Sequence, residues 1–236
     1  MKKNNRSFFL YFFSFISCLV SMISCILINT NSNLNSLIFL SVVKGIPMLF
    51  VILIATINLK NNKNINIYKK MFLFAFFMSF ISDVTLVFNV IIGGIFSIFA
   101  MLFLIITFFK HHSFKILIFK KRKEFNRQLL AGLISLVLSF CFFMIYSFIF
   151  VYPEIPQKLF ILKLLFPVYM LFLSVAVGAS FFGKTPFLVR FAIILFFVSD
   201  SLLFYGFSFG FSPLLTFSNL TLYYCAQNIF AFKIND

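Results

Sequence analysis

Tryptophan is absent from this 236-residue chain, and it has 5 acidic residues against 20 lysines and arginines. Charged residues of both signs make up 11% of the chain, too little to coat a soluble domain. Cysteine is sparse as well. Cys18, Cys25, Cys141 and Cys225 stand singly in apolar stretches, which excludes a disulfide framework and metal-ligand spacing, so all four read as small buried hydrophobes. The two histidines, His111 and His112, are adjacent and would point about 100° apart on a helix, so no metal site and no cofactor is expected.

What the chain does have is apolar length. Hydrophobic residues reach 62%, with 42 phenylalanines, and the apolar runs are long enough to cross a bilayer. The heavy use of Phe, Ile, Asn and Lys has the bias of an A+T-rich genome, so a single phenylalanine carries little functional weight. A polytopic, all-α membrane protein is the class this composition allows.

Eight hydrophobic segments can be marked, at about 8–28, 37–57, 71–92, 95–109, 129–151, 159–182, 186–206 and 213–232. Gly93-Gly94 is taken as the break between the third and the short fourth. Of the 20 basic residues, all but Lys44, Lys158 and Lys163 fall at the amino terminus, at the carboxyl end or in alternate connections. The positive-inside rule then predicts eight helices with both termini cytoplasmic. MKKNNRS followed by an apolar run imitates a secretory signal, but the run is long and lacks a small-x-small cleavage site, so it is read as a retained first span. The net charge of +15 is accounted for by orientation and by contact of the 110–127 cluster with anionic lipid, with no call for nucleic acid.

Against this background two acids stand out. Asp83 lies in FAFFMSFISDVTLVFNVII and Asp200 in FAIILFFVSDSLLFYGF, whereas Glu124, Glu154 and Asp236 lie in connections or at the terminus. A carboxylate at bilayer depth costs about 2.5 to 3.5 kcal/mol on insertion scales, so its presence points to use. The two acids belong to a weak internal repeat. At an offset of 117 residues, Phe80, Ser82, Asp83 and Leu86 match Phe197, Ser199, Asp200 and Leu203; at 119, Lys44 matches Lys163, each shortly before a proline. This predicts one integral membrane domain over 1–236, built from two parallel four-helix halves of about 8–110 and 129–232 that each give one Lys and one Asp.

Two carboxyls at one depth in a water-poor site cannot both ionise freely, so one acts as an acid while a lysine favours the charged form of the other. Ion pairs that only fix helix packing, or a proton relay in a transporter, would use the same residues. Gly45, Pro47 and Pro167 would give a transporter its interrupted helices. In the last segment Thr216, Asn219, Tyr223 and Gln227 share a helix face, with Tyr224 and Asn228 beside it. That stripe serves either helix–helix hydrogen bonding or the lining of a site for a headgroup or a water molecule. Candidate supporting residues around Asp83 and Asp200 are thus Lys44, Lys163, Ser82, Ser199, Asn219, Tyr223, Tyr224 and Gln227.

Taken together, Lys44 to Pro47, Ser82-Asp83, Ser199-Asp200-Ser201-Leu202-Leu203 and Tyr223-Tyr224-Cys225-Ala226-Gln227 resemble the YhhN-like lysoplasmalogenase family of eight-helix membrane proteins, over about 35–232. The resemblance implies a hydrolase of the plasma membrane that cleaves the vinyl-ether bond of a lysophospholipid, giving a fatty aldehyde and a glycerophospho-alcohol, with Asp83 and Asp200 as the catalytic pair. The chain departs from the family pattern in three places. Ser82 stands where a glycine is usual, Gly45-Ile46 separates Lys44 from its proline, and no histidine occurs between 95 and 109. The last of these admits an inactive family member as an alternative.

Overall fold

A computed structural model describes residues 2–28, 34–60, 67–109, 122–148, 160–182 and 185–233. The expectations placed on His111 and His112, on Lys158, and on most of the basic cluster fall outside the described residues or on side chains that are not described. Eight helices make up the described chain: α1 (Lys2–Ile28), α2 (Leu34–Lys60), α3 (Ile67–Leu86), α4 (Val90–Phe108), α5 (Arg122–Tyr146), α6 (Phe160–Phe181), α7 (Phe187–Phe209) and α8 (Pro213–Lys233). Among the described residues there is no strand. Six helices are long and apolar enough to cross a membrane, and α3 and α8 are the two that fall short. Both exceptions have a cause in composition. α3 carries Lys69, Lys70 and Asp83 within 20 residues, and α8 carries the Thr216–Asn228 polar stripe. The chain is an all-α membrane bundle, and α3 and α8 both contribute to its interior site.

The break between the third and fourth helices differs from the expected one. α3 stops at Leu86, and Asn89 caps α4, its side chain accepting from the amides of Ile91 and Ile92 at 2.9 and 3.2 Å. An asparagine N-cap satisfies amides that would otherwise be orphaned, which sets the boundary more strongly than a glycine pair does. Gly93 and Gly94 lie inside α4. Gly93 is needed for another reason: a Cβ there would come within 2.4 Å of Leu86, so its absence lets the end of α3 fold tightly onto α4.

The prolines do not interrupt their helices. α2 runs unbroken through Pro47 and α6 through Pro167, against the broken helices a transporter would use. A proline in a helix frees carbonyls one turn back, and in lipid these need a partner. The Tyr224 hydroxyl supplies one, donating to the Lys44 carbonyl at 3.3 Å.

Seven helices close into a ring. α1 packs on α2, α2 on α3, α3 on α4, α4 on α6, α6 on α7, α7 on α8 and α8 back on both α1 and α2. α5 stands outside it, packed along α6, and touches α7 through Phe142 on Phe197 and through Tyr146, which donates to the Ser201 carbonyl at 2.5 Å. Leu130, Val137, Leu138 and Ile145 of α5 are exposed, as expected of a helix with one narrow packed stripe. Cys18 and Cys25 are buried, but Cys141 of α5 and Cys225 of α8 are exposed, which corrects the reading of all four as interior residues. Their surface is apolar all the same, because in lipid an outward-facing thiol costs little.

Along its axis the ring has two dissimilar ends. At one, Phe72 lies on Phe76 and edge-on to Phe230, with centroids 5.0 and 5.7 Å apart, and Phe230 meets Phe108 at 6.4 Å. All four are buried, so this end is filled by ring-to-ring packing. Between membrane helices that contact is dispersion and fit, since lipid is as apolar as phenylalanine. The other end is hollow.

Candidate functional site

The hollow end holds a cavity of about 200 Å³ lined by all seven ring helices and not by α5. Asp83 from α3 and Asp200 from α7 both open onto it, together with Lys44 of α2, Tyr169 of α6, and Asn219, Tyr223 and Tyr224 of α8. One wall is apolar and mainly aromatic: Leu165, Phe166, Phe196, Leu203, Phe204, Phe207 and Phe211. α4 adds Val90, Gly94, Ser97, Ala100 and Met101, so its cavity face carries no titratable group.

Each aspartate follows a serine, and in both halves the two neighbours divide their tasks. Successive helix positions point about 100° apart, so one can face the adjacent helix and the other the interior. Ser82 donates to the Gly93 carbonyl at 2.9 Å and lies 2.6 Å from the Ser97 hydroxyl, tying α3 to α4. Ser199 donates to the Asn219 carbonyl at 3.0 Å and to its side-chain oxygen at 2.7 Å, tying α7 to α8. Ser199 thereby lies behind the cavity wall, whereas Ser82 is part of it.

The carboxyls are held by tyrosines. Tyr223 Oη donates to Asp83 Oδ2 at 2.9 Å, and Tyr169 Oη donates to Asp200 Oδ2. Phenol-to-carboxylate bonds are charge-assisted and fix the acceptor oxygen, which leaves the other oxygen of each acid for a ligand. Tyr223 is braced by Phe196 of α7 at 5.4 Å, and Tyr169 by Phe204 at 5.7 Å. Asp200 is 5% exposed, and Asp83 is only half-buried.

Other expected site residues separate. Tyr224 is buried beside the cavity, its hydroxyl 3.0 Å from Ser21 of α1 as well as on the Lys44 carbonyl. Gln227 is buried but one turn past the cavity, and its Nε2 has no hydrogen-bond partner among the described residues. Asn228 turns to α1 and accepts from Ser14 at 2.9 Å. Thr216, Asn219 and Tyr223 remain together on the lining, so the polar stripe serves both a site and helix contacts.

Lys163 is not on the cavity, which corrects the expectation of one lysine per half. It sits in the first turn of α6, where α6 begins at Phe160, two turns from Tyr169. A lysine near a helix end reaches the interface at small cost, whereas Lys44 lies ten residues into α2. The residue the sequence reading missed is Tyr169. Its only signal was that it supplies the one aromatic hydroxyl in α6, and it has no counterpart in the first half, where the repeat offset of 119 falls on Phe50.

Among the described residues no group of three or more His, Cys, Asp or Glu side chains is placed to hold a metal ion. A pair of tyrosine-held carboxyls facing one partly aromatic, partly polar cavity is a geometry suited to acid–base work on an amphiphile. Comparison with curated proteins and with solved structures gave no match. The YhhN family model matches residues 39–234, which takes in six whole helices, five of them in the ring, together with most of α2 and every cavity-lining residue except Cys25. The chain belongs to the YhhN family.

Proposed function

We propose that this protein is a lipid vinyl-ether hydrolase acting on lysoplasmalogen-type lysophospholipids, with Asp83 and Asp200 as its catalytic pair. The observation that carries the reading is the shared cavity: two carboxyls, each fixed by a phenol, beside an aromatic wall able to take a hydrocarbon chain.

The chemistry divides between an acid and a base. A carboxylic acid transfers its proton to the β-carbon of the vinyl ether, and the electron pair of the double bond forms the new C–H bond. The α-carbon becomes part of an oxocarbenium ion. A carboxylate beside it stabilises that cation and takes a proton from a water molecule as the water oxygen bonds to the α-carbon. The resulting hemiacetal collapses: the carboxyl that took the proton from water gives it to the glycerol oxygen as the bond to that oxygen breaks, the hemiacetal hydroxyl loses its proton to the other carboxylate, and a fatty aldehyde leaves. One water is consumed and both carboxyls return to their starting states. The logic parallels two-carboxylate glycoside hydrolysis in chemistry, not in fold.

The surroundings divide the roles. Asp200 is the more enclosed and its carboxyl accepts from a neutral phenol, which suits the proton donor. Asp83 is more open and shares the cavity with the Lys44 ammonium, which suits the carboxylate that meets the cation and the water. Among the described residues Lys44 is also the one cationic side chain on the lining, and so suits a phosphate.

Purified protein in lipid bilayers, given a defined lysoplasmalogen, should release fatty aldehyde and the glycerophospho-alcohol in equal amounts. Release should be lost in Asp83→Asn and in Asp200→Asn while the proteins stay folded. A wild type that yields no aldehyde would refute the proposal.

A further inference from the structure

The cavity occupies only one end of the bundle, and the charges of the chain say which end that is. Its lining comes from the carboxyl-terminal parts of α1, α3 and α7 and from the amino-terminal parts of α2, α4, α6 and α8, as Cys25, Asp83, Phe207, Lys44 and Thr216 illustrate. That is the end where α3 turns into α4 and α7 into α8. The opposite end, where α2 leads to α3 and α6 to α7, is filled by Phe72, Phe76, Phe108 and Phe230. No amphiphile with a charged headgroup enters through interlocked aromatic rings, because the headgroup would lose its water with no polar partner along the way.

At the cavity end the α7–α8 turn forms part of the lining. Gly210 takes φ of 92°, and the Phe211 ring lies against Gly206 so closely that a Cβ there would meet it at 2.3 Å. Phe211 packs edge-on to Phe207 at 5.3 Å, and both rings line the cavity. The aromatic wall therefore continues from the buried acids to the exposed turn at Ser212. A hydrocarbon chain has a continuous apolar surface from that face inward.

The basic residues mark the filled end. The amino terminus, the α2–α3, α4–α5 and α6–α7 connections with the helix turns that flank them, and the carboxyl end hold all of the 20 lysines and arginines except Lys44, Lys158 and Lys163. Such a bias fixes the basic end on the cytoplasmic side. We infer that the cavity opens toward the non-cytoplasmic face and draws its lysolipid from that leaflet, past the α7–α8 turn and along the aromatic wall. The opening follows from packing and charge alone; the identity of the occupant rests on the hydrolase reading.

Modification by a membrane-impermeant maleimide tests the two parts separately. In a variant whose four cysteines are replaced by alanine, Ser212→Cys should be modified in right-side-out vesicles and spared in inside-out ones, and Asn62→Cys, in the α2–α3 connection, the reverse. The opposite pattern overturns the inference. Thr216→Cys, on the lining, should lose reactivity when 1-acyl lysophosphatidylethanolamine is added to right-side-out vesicles. Protection only in inside-out vesicles, or in neither, rejects the leaflet assignment. Because labelling requires no turnover, a protein that labels as expected but releases no aldehyde would lose the hydrolase reading and keep the orientation. Aldehyde release with reversed labelling would do the opposite.

Discussion

Asp83 and Asp200 hold corresponding places in two similar stretches of sequence, yet the structure surrounds them differently. Each follows a serine that fastens its helix to the next, Ser82 to α4 and Ser199 to α8. Beyond that the likeness ends. Asp83 lies three residues from the end of α3, half-buried, with a tyrosine from α8 and the cavity lysine; Asp200 lies nine residues from the end of α7, enclosed, with a tyrosine from its neighbour α6. The first helix of the first half packs against both α2 and α8 and reaches the cavity, whereas the first helix of the second, α5, packs along α6 outside it. Two acids at matching places in the sequence thus stand in unlike surroundings, and the proposed division into proton donor and proton acceptor rests on that difference.

The largest test of that difference is removal of either acid. Asp83→Asn and Asp200→Asn should each lower the rate of aldehyde release by about two to four orders of magnitude, as expected when a general acid or base is removed. If the two roles are distinct, each variant should also lose a different limb of the pH–rate profile. Loss of the same limb in both would mean the carboxyls act interchangeably.

A smaller loss should follow when the phenols are taken away. Tyr169→Phe and Tyr223→Phe each delete a hydrogen bond to a carboxyl, of the kind that contributes about 1.5 to 3 kcal/mol, or roughly tenfold to a hundredfold in rate. The effect should appear in kcat with KM little changed, because the phenols orient the acids and do not hold the chain. A change confined to KM would show that the tyrosines bind lipid instead.

The lysines offer a sharper contrast with a still smaller effect. Lys44→Met should raise KM for a phosphate-bearing substrate by about tenfold, the worth of a single modest ionic contact. Lys163→Met should leave KM as it is. Equal responses from the two would restore the symmetry that the cavity lining denies.

Least affected should be the serine fasteners. Ser82→Ala and Ser199→Ala each remove interhelical hydrogen bonds of a type that averages about 0.6 kcal/mol in a membrane protein, a change to be read from the thermal midpoint in detergent. Ser199→Ala is expected to cost more than Ser82→Ala, since the Ser199 hydroxyl meets both the carbonyl and the side-chain oxygen of Asn219. A greater loss in Ser82→Ala would show that the α3–α4 turn depends on that contact more than on the Asn89 cap.

Some of this could be read without coordinates and some could not. Hydropathy located all eight helices, because insertion into lipid depends on a sum over a segment. Asp83 and Asp200 stood out because a carboxylate among phenylalanines is costly wherever it faces. The α8 stripe was visible because polar residues at helical spacing in an apolar span need an interior. The ends of α3 and α4 were misplaced, since two glycines looked like a break and the asparagine cap just before them did the work. Lys163 was paired with Lys44 from spacing alone, and its place in the first turn of α6 undid the pairing. Tyr169 had no partner in the repeat to draw attention to it.

The amino-acid order by itself determined that this chain forms a membrane bundle of eight helices, that its basic residues gather at alternate connections, and that two acids lie within apolar helices. Those properties depend on transfer from water to lipid, which each segment undergoes largely on its own. Only the tertiary structure decided that α5 stays out of the ring, that one end is filled and the other hollow, and that tyrosines rather than lysines hold the carboxyls. In a bilayer, phenylalanine and leucine are equally at home facing lipid or a neighbouring helix, so hydrophobicity does not choose partners. Shape and hydrogen bonding do, and both depend on how the helices come together.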